Sequence, residues 1–166
     1  MSAILSDEKP VPLYRYRLER STSFADGKTA AVIMVNPSTA DAVENDHTIR
    51  KVITFVQMAG ASRLIVGNKF AFRAKDIRAL RSAVDPIGPD NDRHLEQIMR
   101  DADLHIVAWG PLNKLPNDLR QRWRAVVEIA RRVGCPLHAL ATAQCGHPRH
   151  PLMLGYACTL SPWNME

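Results

Sequence analysis

With 166 residues, 46% of them hydrophobic, the chain can bury one core but not two comfortable ones. A single domain over residues 12–160 is expected, with residues 1–11 as a flexible N-terminal segment. The 22 Lys and Arg outnumber the 17 Asp and Glu to give +5, a charge compatible with acidic ligands or with a merely solvated basic face. No apolar run reaches membrane-spanning length, the start lacks the basic-then-apolar pattern of a secretory leader, and three cysteines make no secreted framework. A cytoplasmic protein with free thiols and no membrane partner is expected.

In chain order, Tyr14 to Glu19 alternates large and charged residues and reads as a half-exposed edge strand, with a turn over Ser21 to Gly27. Ala30 to Val35 is a continuous apolar run that suits a strand buried on both faces. Ile49, Val52, Ile53 and Val56 recur at helical spacing within Thr48 to Ala59, and Gly60 follows. Leu64 to Val66 reads as the next strand, Asp76 to Ala83 as a short helix, and Asp85 to Pro89 as a turn-rich joint. Asp90 or Asn91 then caps a helix to about Asp101 that turns Leu95, Ile98 and Met99 toward a sheet. Leu104 to Trp109 predicts a strand, Pro116 to Val133 a helix ended by Gly134, and Leu137 to Ala141 a last strand. Strands alternating with helices predict an α/β fold, a three-layer α/β/α sandwich around a mainly parallel sheet.

Four polar signatures each follow an apolar run: Asn36-Pro37-Ser38-Thr39, Gly67-Asn68-Lys69, Gly110, and Gln144-Cys145-Gly146-His147-Pro148. In a parallel sheet the carboxyl ends of the strands lie along one edge, so these segments are expected to meet in one crevice. Asn36 brings an amide, and Asp41 or Asp46 a carboxylate for acid/base work, although Asn36-Pro37-Ser38 is also ordinary turn chemistry and Asp46 a natural helix cap. Asn68, Phe70 and Arg73 supply an amide, an aromatic and a cation, the parts of a nucleotide or flipped-base pocket, while core or loop packing is the better account of at least one of Phe70 and Phe72. The absent side chain of Gly110 permits a close approach. His147, Arg149 and His150 sit on a proline-stiffened loop that can donate to an anionic group with little loss of entropy.

No metal and no cofactor is expected. Cys145, His147 and His150 have ligand chemistry, but prolines restrict their convergence and no second cluster completes a tetrahedral set. A G-x-x-x-x-G-K-[ST] phosphate loop and a G-x-G-x-x-G dinucleotide fingerprint are both lacking. His94 and His105 read as ordinary surface and core residues, and His47 and His138 carry no separate signal. The basic run Arg63, Lys69, Arg73, Lys75, Arg78 and Arg81, opposed only by Asp76, suits a phosphate backbone.

YRYRLER, VNPSTADAVENDHTIRK, GNKFAFRAKD, DPIGPDNDRHL, VAWG and GHPRHPL together resemble the bacterial and phage family of domain of unknown function 1643, from Tyr14 to about Tyr156. A more distant resemblance is to the uracil-DNA glycosylase superfamily. Its Asp-Pro or Asn-Pro motif, strand-terminal Asn, Trp-Gly turn and His-Pro motif follow the order of Asn36-Pro37, Asn68, Trp109-Gly110 and His147-Pro148. That resemblance implies a glycosylase-like fold in which Asn36 positions a water, Asn68 reads a base edge and His147 stabilises the departing base. It departs from the pattern in having Asn rather than a carboxylate at 36, and Arg149-His150-Pro151-Leu152 where a minor-groove wedge belongs. Two functions follow as expectations: an enzyme acting on a nucleobase, nucleotide or nucleic acid, with Asn36, Asp41 and His147 catalytic and Ser38, Asn68, Phe70, Arg73, Gly110, Arg149 and His150 binding; or a non-catalytic module that recognises a nucleotide or modified base.

Overall fold

The computed structural model describes residues 1–6, 13–38 and 44–165. Among them seven strands form one sheet: β1 (Ser2–Leu5), β2 (Arg15–Ser21), β3 (Lys28–Met34), β4 (Ala61–Asn68), β5 (Leu104–Val107), β6 (His138–Ala139) and β7 (Ser161–Pro162), in the spatial order β1-β2-β4-β3-β5-β6-β7. Three helices accompany them: α1 (His47–Met58), α2 (Asn91–Arg100) and α3 (Trp123–Val133).

Strands β4, β3, β5 and β6 run parallel, with Val32 opposite both Val66 and Ile106. Alternation along these apolar runs sorts their side chains. Ala31, Ile33, Ile65 and Val107 pack under Leu95 and Ile98 of α2 and Val126 and Ile129 of α3. Ala30, Val32, Leu64, Val66 and Ile106 pack against Ile49, Val52 and Val56 of α1 on the other face. Each Val, Leu or Ile among them withdrawn from water contributes about 1.5–3 kcal/mol, so the doubly covered centre is a major source of stability. Gly67 lets α2 come close: a Cβ there would lie 2.8 Å from a Leu95 methyl.

The α/β class stands, but the sheet is mixed rather than mainly parallel. The pairings β1/β2, β2/β4 and β6/β7 are antiparallel. The N-terminal strand of the alternating YRYRLE segment is not at an edge. It is buried between β1 and β4, because its charges find partners: Arg17 bridges Glu19 and Asp101, each at 2.6 Å, and Arg20 donates to Asn45 and to the Glu19 carbonyl. Ser2–Leu5, expected within a flexible segment, hydrogen-bonds to β2, whose outer edge would otherwise be unpaired. At the other end, Ser161–Pro162 pairs with β6 and Trp163 is buried.

Other differences are local. Asp76 to Ala83 is a 3₁₀ turn over Ile77–Ser82, capped by Asp76. The helix expected from Pro116 is 3₁₀ through Asn117–Arg122 before α3 begins. The last strand shrinks to His138–Ala139. Asp90 precedes α2 without a side-chain cap bond, while the fully buried Asn91 has another task described below. His105 is a core residue whose Nε2 lies 2.8 Å from the Met99 carbonyl, and His94 stacks on Tyr16. Among the described residues, no helix is long and apolar enough to cross a membrane.

Candidate functional site

The chain leaves β3 to form β4 on one side and later returns to place β5 on the other. Connections that part in this way open a crevice at the carboxyl ends of the strands. A cleft of about 870 Å³ occupies this end of the sheet, within the size range of ligand pockets. Asn36, Ser38, Asn68 and His150 all line it, joined by Asp46 and Thr48 at the start of α1, Arg15 from β2, and Lys75, Asp76, Arg78, Asn113 and Lys114 from the surrounding loops.

Asn68 ends β4 and is only 2% exposed, yet its side-chain amide makes no hydrogen bond among the described residues. The backbone behind it is firmly held. Asn91 Nδ2 donates to the carbonyls of Asn68 and Lys69, each at 3.0 Å, and Arg122 Nε donates to the Lys69 carbonyl at 2.9 Å. The DPIGPDN segment delivers Asn91 to that place, with the Asp85 carboxylate accepting from the Ile87 and Gly88 amides in the turn before it.

Asn36 is partly a structural residue. Its Nδ2 donates to the Pro37 carbonyl at 3.1 Å and to the Ala74 carbonyl at 2.8 Å, tying the two loops that follow β3 and β4. Its Oδ1 remains as an acceptor. Asp46 combines both readings weighed from the sequence: Oδ1 accepts from the Ile49 amide as the cap of α1, and the residue also lines the cleft. Asp41 and Thr39 lie outside the described residues.

His150 is the histidine of the proline-stiffened loop that borders the cleft. Its Nδ1 accepts from the Leu152 amide at 3.3 Å. Burial lowers its pKa below the ordinary histidine range, the nearby Asp46 carboxylate opposes that, and the Lys114 ammonium adds to it. Gly110 supports this arrangement from behind. It has φ +79°, and a Cβ there would press to 3.3 Å on the His150 Cβ, so only glycine suits both the conformation and the space.

His147, expected beside Asn36, instead lines a neighbouring depression with Gln144 and Cys145. Its ring meets Trp123 edge-on at 5.4 Å, and burial together with the Lys69 charge lowers its pKa. The reason is the spacing of the loop: two residues separate the histidines, and the Ala143 and Arg149 amides pin its arms to the carbonyls of His147 and Ala141. Phe70 is another correction. It is fully buried against Leu80 and Leu115, as core packing. Arg73 is half-buried and Arg149 exposed, and neither lines the cleft.

From the sequence Lys69 counts only among the cations of a basic run suited to a phosphate backbone. It is fully buried, with Nζ 5.1 Å from the Trp109 ring centre and 5.8 Å from that of Phe70. This Nζ has no hydrogen-bond partner among the described residues. Burial, reinforced by Arg122, brings its pKa down to about 7. The signal for such a residue was its place directly after a strand-terminal Asn, since adjacent residues face opposite sides of a sheet.

Residues 15–152 match the family described as protein of unknown function, domain of unknown function 1643. The chain belongs to that family. The match takes in the Asn36, Asn68, Gly110 and His147 to His150 segments of this domain of unknown function 1643 protein. Comparison with curated proteins and with solved structures finds no match. Among the described residues, no group of three or more His, Cys, Asp and Glu side chains is arranged to hold a metal ion.

Proposed function

We propose that the cleft binds a nucleobase-bearing ligand and hydrolyses its N-glycosidic bond. The observation that carries this reading is the unengaged amide of Asn68, buried at the floor of a polar cleft and braced from behind by Asn91. An amide that opens onto the cleft with no protein partner is free to bind, and a carboxamide offers adjacent donor and acceptor groups that match a base edge. The motif order resembling the uracil-DNA glycosylase superfamily points the same way.

In this proposal the free acceptors of Asp46 and Asn36 orient a water toward the sugar carbon. As the new C–O bond forms, the C–N bond breaks, its electron pair leaves with the base, and the water proton passes to the Asp46 carboxylate. His150 donates a hydrogen bond to the departing base and offsets its charge. The role that motif order implied for His147 thus goes to His150, which borders the cleft.

The test is chromatography for freed base after incubating the protein with nucleosides, nucleotides and single- and double-stranded oligonucleotides carrying normal and deaminated bases. We expect release that Asn68→Ala and His150→Ala each reduce at least tenfold. Binding without release identifies the non-catalytic module instead, and absence of both binding and release overturns the nucleobase reading.

A further inference from the structure

Beside the cleft lies a second, smaller depression of about 310 Å³, which shares Arg78, Asn113 and Lys114 with it. Arg81 and Arg120 complete a set of four cations around it, and no carboxylate lines it. Arg78 and Arg81 share one face of the 3₁₀ turn Ile77–Ser82, three residues apart, while Lys114 and Arg120 arrive from the turns Leu112–Lys114 and Asn117–Arg122, so the fold brings three segments together here. Arg78 is neutralised by Asp76 at 2.6 Å. Arg81 and Lys114 have no carboxylate partner among the described residues. Arg120 is held in place by neutral groups, with Nε donating to the Leu115 carbonyl at 3.2 Å and an Nη donating to the Asn113 carbonyl at 3.3 Å.

We infer that this depression is a subsite for a phosphate group, and that the ligand of the adjacent cleft is a phosphorylated nucleoside or a nucleic-acid strand rather than a free base. Three uncompensated cations around one small concavity repel one another, and an anion with several acceptor oxygens relieves that repulsion while engaging all of them. Lys114 belongs to both cavities, so a ligand spanning them carries its phosphate directly next to its base-bearing part. The location of the subsite stands by itself; only the identity of the phosphate's carrier rests on the nucleobase reading.

The experiment titrates ¹⁵N-labelled full-length protein with pyrophosphate at constant ionic strength and follows the arginine Nε–H resonances. Arg81→Gln, Lys114→Gln and their double variant are titrated in parallel. We expect shifts concentrated at Arg81 and Arg120 and at least tenfold weaker binding in the double variant. Equal shifts at remote exposed arginines such as Arg93 and Arg131, or equal affinity in wild type and double variant, overturn the subsite.

Two further arms identify the carrier. A gain of tenfold or more for nucleoside monophosphates over their nucleosides, lost in the double variant, assigns a free nucleotide. If the gain appears only with a single-stranded oligonucleotide, whose log K against log salt slope flattens by about 0.7 per phosphate contact removed, the carrier is a strand. Pyrophosphate bound at the subsite, with no nucleoside, nucleotide or oligonucleotide bound and no effect of Asn68→Ala, leaves the subsite standing and overturns the nucleobase reading. Nucleosides bound as tightly as both their phosphates and the oligonucleotide overturn the assignment of a phosphorylated ligand and spare that reading.

Discussion

Asn68 and Lys69 are neighbours at the end of β4 and meet opposite environments. Asn68 borders an open cleft with charged groups around its rim, whereas Lys69 is enclosed by the faces of Trp109 and Phe70. The loop of residues 147–150 repeats the division: His150 lies on the cleft side, and His147 lies against Trp123, which meets Trp163 and through it Trp109 in edge-on contacts. The comparison separates two fates of buried polarity. On the cleft side a ligand or water can complete the missing hydrogen bonds. On the aromatic side Lys69 is fully enclosed, so its charge itself is suppressed.

The largest effect tests the aromatic side. With a folded pKa of about 7 against about 10.4 when unfolded, Lys69 is neutral in the folded protein between those values while the unfolded chain still binds the proton. Stability of the wild type therefore rises with pH across that window, by up to ~4 kcal/mol, and below it the full cost of a buried ammonium is present. Lys69→Met should raise the urea midpoint at pH 6.5 and abolish most of the rise toward pH 10. An unchanged or lowered midpoint at pH 6.5 would show that the ammonium is satisfied in a way these contacts do not reveal.

Asn91→Ala removes two buried hydrogen bonds that join α2 to the end of β4. We expect a loss of about 2–3 kcal/mol by denaturant unfolding, with a broadened Asn68 amide signal in NMR spectra. A stability change within 0.5 kcal/mol, an approximate threshold for an ordinary surface substitution, would mean that the brace is dispensable.

The two histidines should then behave oppositely. His147→Ala should cost about 1–2 kcal/mol of stability through lost aromatic packing and leave cleft ligand binding within about threefold of wild type. His150→Ala should cost under about 1 kcal/mol and weaken binding or turnover at least tenfold. The reverse result, measured by thermal unfolding and by base release, would place the working site at the depression beside Cys145. The smallest effect is a shared one. Both rings are held below the ordinary histidine range, so on acidification below about pH 6.5 the unfolded chain takes up protons first and stability falls. Each alanine variant should flatten part of that slope in melting curves between pH 5 and 7.

The sequence by itself determined the parallel centre of the sheet and the chain positions where polar residues follow its strands. Ala30 to Val35, Leu64 to Val66 and, apart from His105, Leu104 to Trp109 are apolar on both faces, so they had to be covered on both sides, and most polar groups appear where each run stops. Asn36, Asn68 and Gly110 were legible for that reason, as were the faces of α1 and α2. The edges of the sheet were not. The arginines of β2 read as solvent-facing because the pairing of Arg17 with Glu19 and the distant Asp101, and the bond from Arg20 to the amide of Asn45, form only in the folded chain. Nor could local pattern choose between Asn68 and Lys69 or between His147 and His150. Alternation along a strand states that neighbours face opposite sides, but which side stays open depends on where α1, α3 and the 3₁₀ turns pack. Only the tertiary structure decides that, because a cleft is defined by elements that do not meet in sequence.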